Sequence, residues 1–391
     1  MKYLYVASIG RSSASGVVNK VLNKVNYLSQ KLDIEALLIF QELDHISISF
    51  RSNVKVVQSK ADFFSTAIRH IDTSQFDCII MRYQGASKRC FRFLQKCQAK
   101  VVFEHNSIEG KEKWFYIKSF NIRDYAYLIF NGKFKTIYRE WLSLFDEYWY
   151  SKKCLSLAYA GITVTDEIAR YEKCRYKKYI TKTISNGINT EKVLKRSVPS
   201  LDDSKPFTMI FFSGTDKGWH GLDRLLRGIK NYTGAWKLRL FIIGLYHKNN
   251  DILISQINNG THEVVCTGML DSPQMKKYAD ESHIGIGSLG LHRIPLYQAC
   301  TLKTREYCAL GLPLMISHDD IDLTSYSSFA PFYLKVPASE VEVSIQAMID
   351  FSNKVYEIVD FDKKMRTLCE KHLDMSVKMD QLSLFLESAE A

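Results

Sequence analysis

Short apolar runs alternate with amphipathic stretches along almost the whole chain. In the first half, Lys2–Ile9, Ile34–Ile39, Val54–Val57, Asp77–Met81, Lys100–Phe103 and Ala160–Thr165 read as strands. Between them lie segments such as Val17–Gln30, whose Val18, Leu22, Val25 and Leu28 recur at three- and four-residue steps and mark one packing face of a helix. The second half repeats the rhythm with Phe207–Phe212, Leu238–Gly244, Val264–Thr267, Ile284–Leu289, Leu312–Ile316 and Phe332–Val336. Bounded apolar runs of this length suit parallel strands buried on both faces. Their alternation with helices predicts α/β architecture with two doubly wound sheets, and ligands at the carboxyl ends of the strands. Polar Lys195–Pro206, with two prolines, reads as a linker. The expected organisation is therefore a domain over 1–195, a second over 196–375, and a helix over 376–391 that crosses back to the first.

Several turns between these elements carry residues suited to anionic ligands. Gly10–Gly16 is a small-residue loop between the first strand and its helix. Lys100–Phe103 runs into Glu104 and His105, where a strand-end imidazole is placed to donate to a sugar hydroxyl or phosphate; an enclosed structural histidine is the other reading. Glu104 either binds a substrate or pairs with a nearby base, and Arg82 lies at another strand end. After Phe212 comes SGTDKGWHGLDRLL: Gly214 and Gly218 allow tight turns, and Lys217 supplies a point charge. The stretch His283–Ser317 holds a strand, a loop and a helical segment closed by Gly311 before Pro313. Thr301, Leu302 and Lys303 then fall at a helix N-terminus, where free N–H groups and the dipole attract phosphate.

The sequence QACTLKTREYCALGLPLM resembles the donor motif of family 4 of the retaining GT-B glycosyltransferases, in which two glutamates are separated by seven residues. Glu306 matches the second, which in the family binds the nucleotide ribose. Gln298 stands where the first, a sugar-holding carboxylate, belongs; it keeps hydrogen-bonding capacity without charge. VVFEHNS, ISNGINTEKV and the Gly214–Leu222 segment resemble further family elements. The resemblance implies GT-B architecture, two Rossmann-like domains facing an inter-domain cleft. It implies that Gly16, Gly214 and Lys217 lie beside the donor phosphates, that Gly268, Met269 and Leu270 cup the base, and that His105 and Gln298 orient the sugar. Lys303 is a further phosphate candidate, and His105, Lys217 and Glu306 form the expected catalytic set. His220, Arg224, His292 and Arg293 are secondary candidates. Retaining transfer from a nucleotide-sugar to a glycan or lipid-linked acceptor follows, as in bacterial polysaccharide or glycoconjugate synthesis, with no cofactor and no obligate metal. The alternative is a non-catalytic GT-B-like subunit that binds a partner or glycan, a reading that Gln298 supports.

Composition narrows the partners. A hydrophobic content of 46% with 24% charged residues is that of a globular protein. Residues 1–200 hold 33 Lys and Arg against 18 Asp and Glu, or +15, whereas the whole chain carries +11. The first half thus favours an anionic partner: a membrane surface, lipid diphosphate, nucleic acid or acidic glycan. Residues 111–150 interleave Trp114, Phe115, Phe120, Tyr127, Phe130, Phe134, Trp141 and Trp149 with basic residues, which suits either a core or an anionic membrane interface. No nucleic-acid motif accompanies them. The nine cysteines form no CxxC pair and nothing has metal-ligand spacing; Cys300 and Cys308 read as packing residues. Neither a signal peptide nor an apolar segment of spanning length is seen, so a cytoplasmic protein, peripheral on the inner membrane face, is expected.

Overall fold

A computed structural model of the chain describes residues 1–9, 16–40, 52–59, 62–119, 134–215 and 217–388. Its strands are β1 (Lys2–Ile9), β2 (Asp33–Phe40), β3 (Val54–Gln58), β4 (Cys78–Arg82), β5 (Lys100–His105), β6 (Ala160–Thr163) and β7 (Thr181–Thr183), then β8 (Phe207–Ser213), β9 (Leu238–Gly244), β10 (Glu263–Gly268), β11 (Ile284–Ile286), β12 (Leu314–Ile316) and β13 (Tyr333–Lys335). They form a seven-stranded sheet of order β3-β2-β1-β4-β5-β6-β7 and a six-stranded sheet of order β10-β9-β8-β11-β12-β13. All pairings are parallel. Both sheets are doubly wound, as the apolar runs require: β8 is buried at every residue, so helices must cover both of its faces. The strand order reverses between β1 and β4 and again between β8 and β11, the places where such sheets open a crevice at their carboxyl ends.

The chain divides into two compact units, one of Met1–Ile184 with the residues from Met379 onward, the other of Ser185–Lys378. Residues 185–194 precede the expected linker yet belong to the second unit. Asn186 Nδ2 donates to Cys300 O at 2.6 Å, and Thr190 N and Oγ1 both donate to Asp374. The second division falls inside the last helix, Met375–Ser388.

In the second unit, the helix Leu302–Leu310 is fixed on two sides. Tyr307 faces the sheet: its hydroxyl accepts from Phe212 N at 3.0 Å and lies within donating distance of Ile210 O and Ile286 O, spanning β8 and β11. The ring fills the space beside Gly285, where an added Cβ would stand 2.6 Å from it. Arg305 points the other way and is fully buried. It donates to Asp320 Oδ2 at 2.7 Å, Asp322 Oδ2 at 2.6 Å and Asn186 O at 2.7 Å. Lys378 completes the layer with a 2.8 Å bond to Asp322. Burial alone would raise the Asp322 carboxyl, but Arg305 and Lys378 outweigh it and hold its pKa below the usual range.

Arg305→Met should therefore strand Asp320 in the interior and cost about 3–5 kcal/mol, as expected for breaking a buried ion pair from one side. Urea unfolding of the variant should show a lower midpoint with an unchanged slope.

Candidate active site

At the carboxyl ends of β8, β11 and β12 three loops are tied together. The loop after β8 turns through the short helix Gly218–His220 into Gly221, whose φ is +70° and where an added Cβ would stand 2.7 Å from Gly290 N, which excludes a side chain. Leu289 N donates to His220 O at 3.0 Å and Gly290 N to Trp219 O at 3.1 Å, joining this loop to the one after β11. Lys217 caps the short helix and holds its ammonium 5.8 Å from the Trp219 ring. Gly214 is exposed, and an added Cβ there would meet nothing within 4 Å.

Facing this loop is the N-terminus of Leu302–Leu310. Thr301 caps it, its hydroxyl accepting from Thr304 N at 3.3 Å, so the N–H groups of Leu302 and Lys303 stay available to a ligand. Lys303 is buried, its Nζ makes no hydrogen bond, and it lies 4.2 Å from the centroid of the Phe211 ring. Burial drives its pKa down to about 7. Glu306, one turn on, forms no ion pair among the described residues, and burial raises its carboxyl to about 7. Both groups are thus poised at neutrality by desolvation.

Two histidines, His220 partly buried and His318 buried, border Lys303. His220 Nε2 shares a 2.9 Å hydrogen bond with Thr215 Oγ1, and burial together with the Lys303 charge lowers its pKa well below the ordinary value. His318 was not singled out by the sequence; it follows β12 with no motif to mark it. Its Nδ1 is 3.2 Å from Ser288 O, its Nε2 has no partner, and burial lowers its pKa to about 4.

Gly268, with φ +72° and open space above it, exposed Met269 and half-buried Leu270 follow β10. Gln298 is half-buried, its backbone bridged to Asp319. Gly16 begins the first helix, and residues 10–15 of its loop lie outside the described residues. Arg224, His292 and Arg293 are structural instead. Arg224 is 1% exposed and donates to Leu289 O, Pro337 O and Val341 O. His292 and Arg293 pair with Glu340, and Arg293 also binds Asp223 and Gly218 O, bracing the loop that carries Lys217.

His105 departs most from expectation. It has no exposed surface and sits against the Tyr83 ring at 4.5 Å, with Nε2 3.1 Å from Tyr179 Oη and Nδ1 3.5 Å from Glu172. Burial and Arg175 lower its pKa to about 3. The enclosed reading is the one realised, because aromatic side chains close over the end of β5. Glu104 likewise pairs inward, 2.8 Å from Lys24 and 2.5 Å from Tyr5 Oη.

No protein-family profile and no curated protein sequence matches the chain. Among solved structures, sucrose-phosphate synthase from Thermosynechococcus elongatus is similar with a TM-score of 0.66 and 13% identity, covering 100% of this chain and 100% of that chain. HepE from Anabaena, solved with UDP and glucose, is similar with a TM-score of 0.62 and 12% identity, covering 99% and 100%. The lipopolysaccharide outer core galactosyltransferase WaaB has a TM-score of 0.57 and 12% identity, covering 99% and 100%. The chain has the GT-B fold. At these identities the likeness concerns the fold, and the chemistry rests on the side chains.

Within this GT-B chain, Cys300, Asp320 and Asp322 bring three ligand-type atoms within 4.8 Å of one another. They do not fit a metal. Both carboxylates already bind Arg305, and a divalent cation would have to displace its guanidinium.

Lys303 is held below its ordinary 10.5, so the folded state loses the proton near pH 7 while the unfolded state keeps it to 10.5. The burial penalty is full below pH 7, shrinks as pH rises and vanishes above 10.5. Lys303→Met should raise the stability of the ligand-free protein at pH 6 by about 1–2 kcal/mol. That gain should fade between pH 7 and 10.5, as read from urea midpoints.

Proposed function

We propose that the protein is a glycosyltransferase that moves a sugar from a nucleotide-sugar to a glycan, lipid-linked or other glycoconjugate acceptor, with retention at the anomeric carbon. The observation that carries this reading is Lys303: a buried ammonium with no hydrogen-bond partner at a capped helix N-terminus. Burying it unpaired destabilises the fold, and a diphosphate would supply the missing negative charge. That the GT-B neighbour HepE is solved with UDP and glucose supports the same ligand class.

In this reading the Leu302 and Lys303 N–H groups and the Lys303 ammonium hold the diphosphate, with Lys217 as a second cation. Glu306 accepts from the ribose hydroxyls, and Gln298 orients the sugar. The backbone at Gly268–Leu270 contacts the base, while Gly214 leaves room for phosphate close to the chain. Transfer breaks the bond between the anomeric carbon and the phosphate oxygen, whose electron pair leaves with the nucleoside diphosphate. The acceptor oxygen bonds to the same face of that carbon, and its proton passes to the departing phosphate. The protein's part is electrostatic: Lys303 and Lys217 stabilise charge that grows on the leaving group. No step is routed through a metal or a protein base.

UDP, GDP and ADP should be compared by thermal shift and calorimetry. One of them should raise the melting temperature, and Lys303→Met should weaken its binding by about 10–100-fold. Because the anion favours the charged amine, binding should take up protons above pH 7 and weaken as pH rises. Calorimetry in buffers of different ionisation enthalpy reads this directly. No stabilisation of the folded protein by any nucleotide would favour the non-catalytic subunit instead.

A further inference from the structure

The long helix Phe134–Leu157 turns an aromatic face outward. Tyr138, Trp141, Phe145, Tyr148, Trp149 and Lys152 recur at helical spacing, and all are exposed; Tyr148 reaches 82% and Phe145 59%. The arc from Tyr138 to Lys152 runs about 21 Å along the helix axis, and Glu140, Asp146 and Glu147 of the same stretch fall off its line at helical spacing. Glu147 on the opposite side turns inward instead, accepting from Tyr83 Oη and Ala86 N. The patch continues onto the neighbouring helix Glu109–Ser119, where exposed Trp114 meets Trp141 edge-on at 6.0 Å. Cations ride on its rings: Lys118 lies 5.1 Å from the Trp114 centroid and Lys153 5.8 Å from that of Trp149.

We propose that this face docks the protein on an anionic lipid bilayer. Trp and Tyr combine an apolar body with a polar tip, and beside exposed lysines they match the boundary between acyl chains and anionic headgroups. A second copy of the chain is a poorer occupant. A two-fold contact through this patch would set its lysines against one another with no carboxylate on that line to receive them. No described helix is long and apolar enough to cross a membrane, so the attachment is lateral, along the helix. The charge of residues 1–200, 33 basic against 18 acidic, supplies the longer-range attraction.

The test uses the intact protein with vesicles of phosphatidylcholine alone and of phosphatidylcholine with about one-third phosphatidylglycerol. The protein should float with the anionic vesicles only, with a blue shift of tryptophan emission, and should be released by salt. The double variant Phe145→Ser with Trp149→Ser should lose about tenfold or more in partitioning at unchanged melting temperature. Lys152→Glu with Lys153→Glu should weaken it similarly. Absence of flotation at low ionic strength overturns the proposal, as does equal flotation of the aromatic variant. So does a dimer in sedimentation that the aromatic variant abolishes while vesicles stay unbound. So does shielding of these tryptophans from iodide before vesicles are added, which would mean that the chain itself covers the face. Nucleotide-induced thermal shift should be the same in all these variants, so failure here and failure of the donor site are read separately.

Discussion

The buried layer of Arg305 between Asp320, Asp322 and Asn186 O is the interaction on which the candidate site depends. It fixes the rotation of the helix Leu302–Leu310 about its own axis. With Arg305 locked outward from the sheet, Tyr307 must face β8 and β11, and Lys303, four residues earlier, must lie on the same face beneath the loop after β8. The guanidinium is satisfied by two carboxylates and a carbonyl, and so tolerates complete burial. The cation two residues before it is given no such partner.

That contrast separates paired from unpaired buried charge in this chain. In the first unit several buried ionisable groups answer one another. Glu104 meets Lys24 and Tyr5; Glu147 meets Arg175, Tyr83 and Ala86 N; Glu172 accepts from Arg175. Around Lys303 they do not: its amine and His318 Nε2 are both unpartnered, and Glu306 is held near neutrality by burial with no ion pair of its own. Leaving these groups unpaired in the interior costs stability, a cost consistent with the anion site proposed above. Arg224 and Arg293 show the opposite use of cations in the same neighbourhood. They spend their donors on the carbonyls and carboxylates that hold the loops in position.

The alternation of apolar runs was sufficient to read two doubly wound parallel sheets, because strands buried on both faces leave an unbroken apolar signature. The Gly311 stop and the Thr301 cap were equally legible, being local rules of backbone geometry. Sequence also marked Lys303, since a helix N-terminus can be located from its boundary signals, and Glu306 through the resemblance of its motif. What sequence could not decide was which way a side chain at a strand end turns. His105 and Lys303 each sit where a parallel strand or its following helix opens, yet one is enclosed by Tyr83 and Tyr179 and the other is left without a partner. The residues responsible lie 22 and 74 positions from His105, so only tertiary packing brings them together. The same holds for His318, for the Arg224 and Arg293 braces, and for Phe145 and Tyr148 pointing outward from a helix whose aromatic stripe suits a core equally well. Local periodicity determined the elements and their caps; long-range packing alone determined which polar groups are paired, and hence where chemistry remains available.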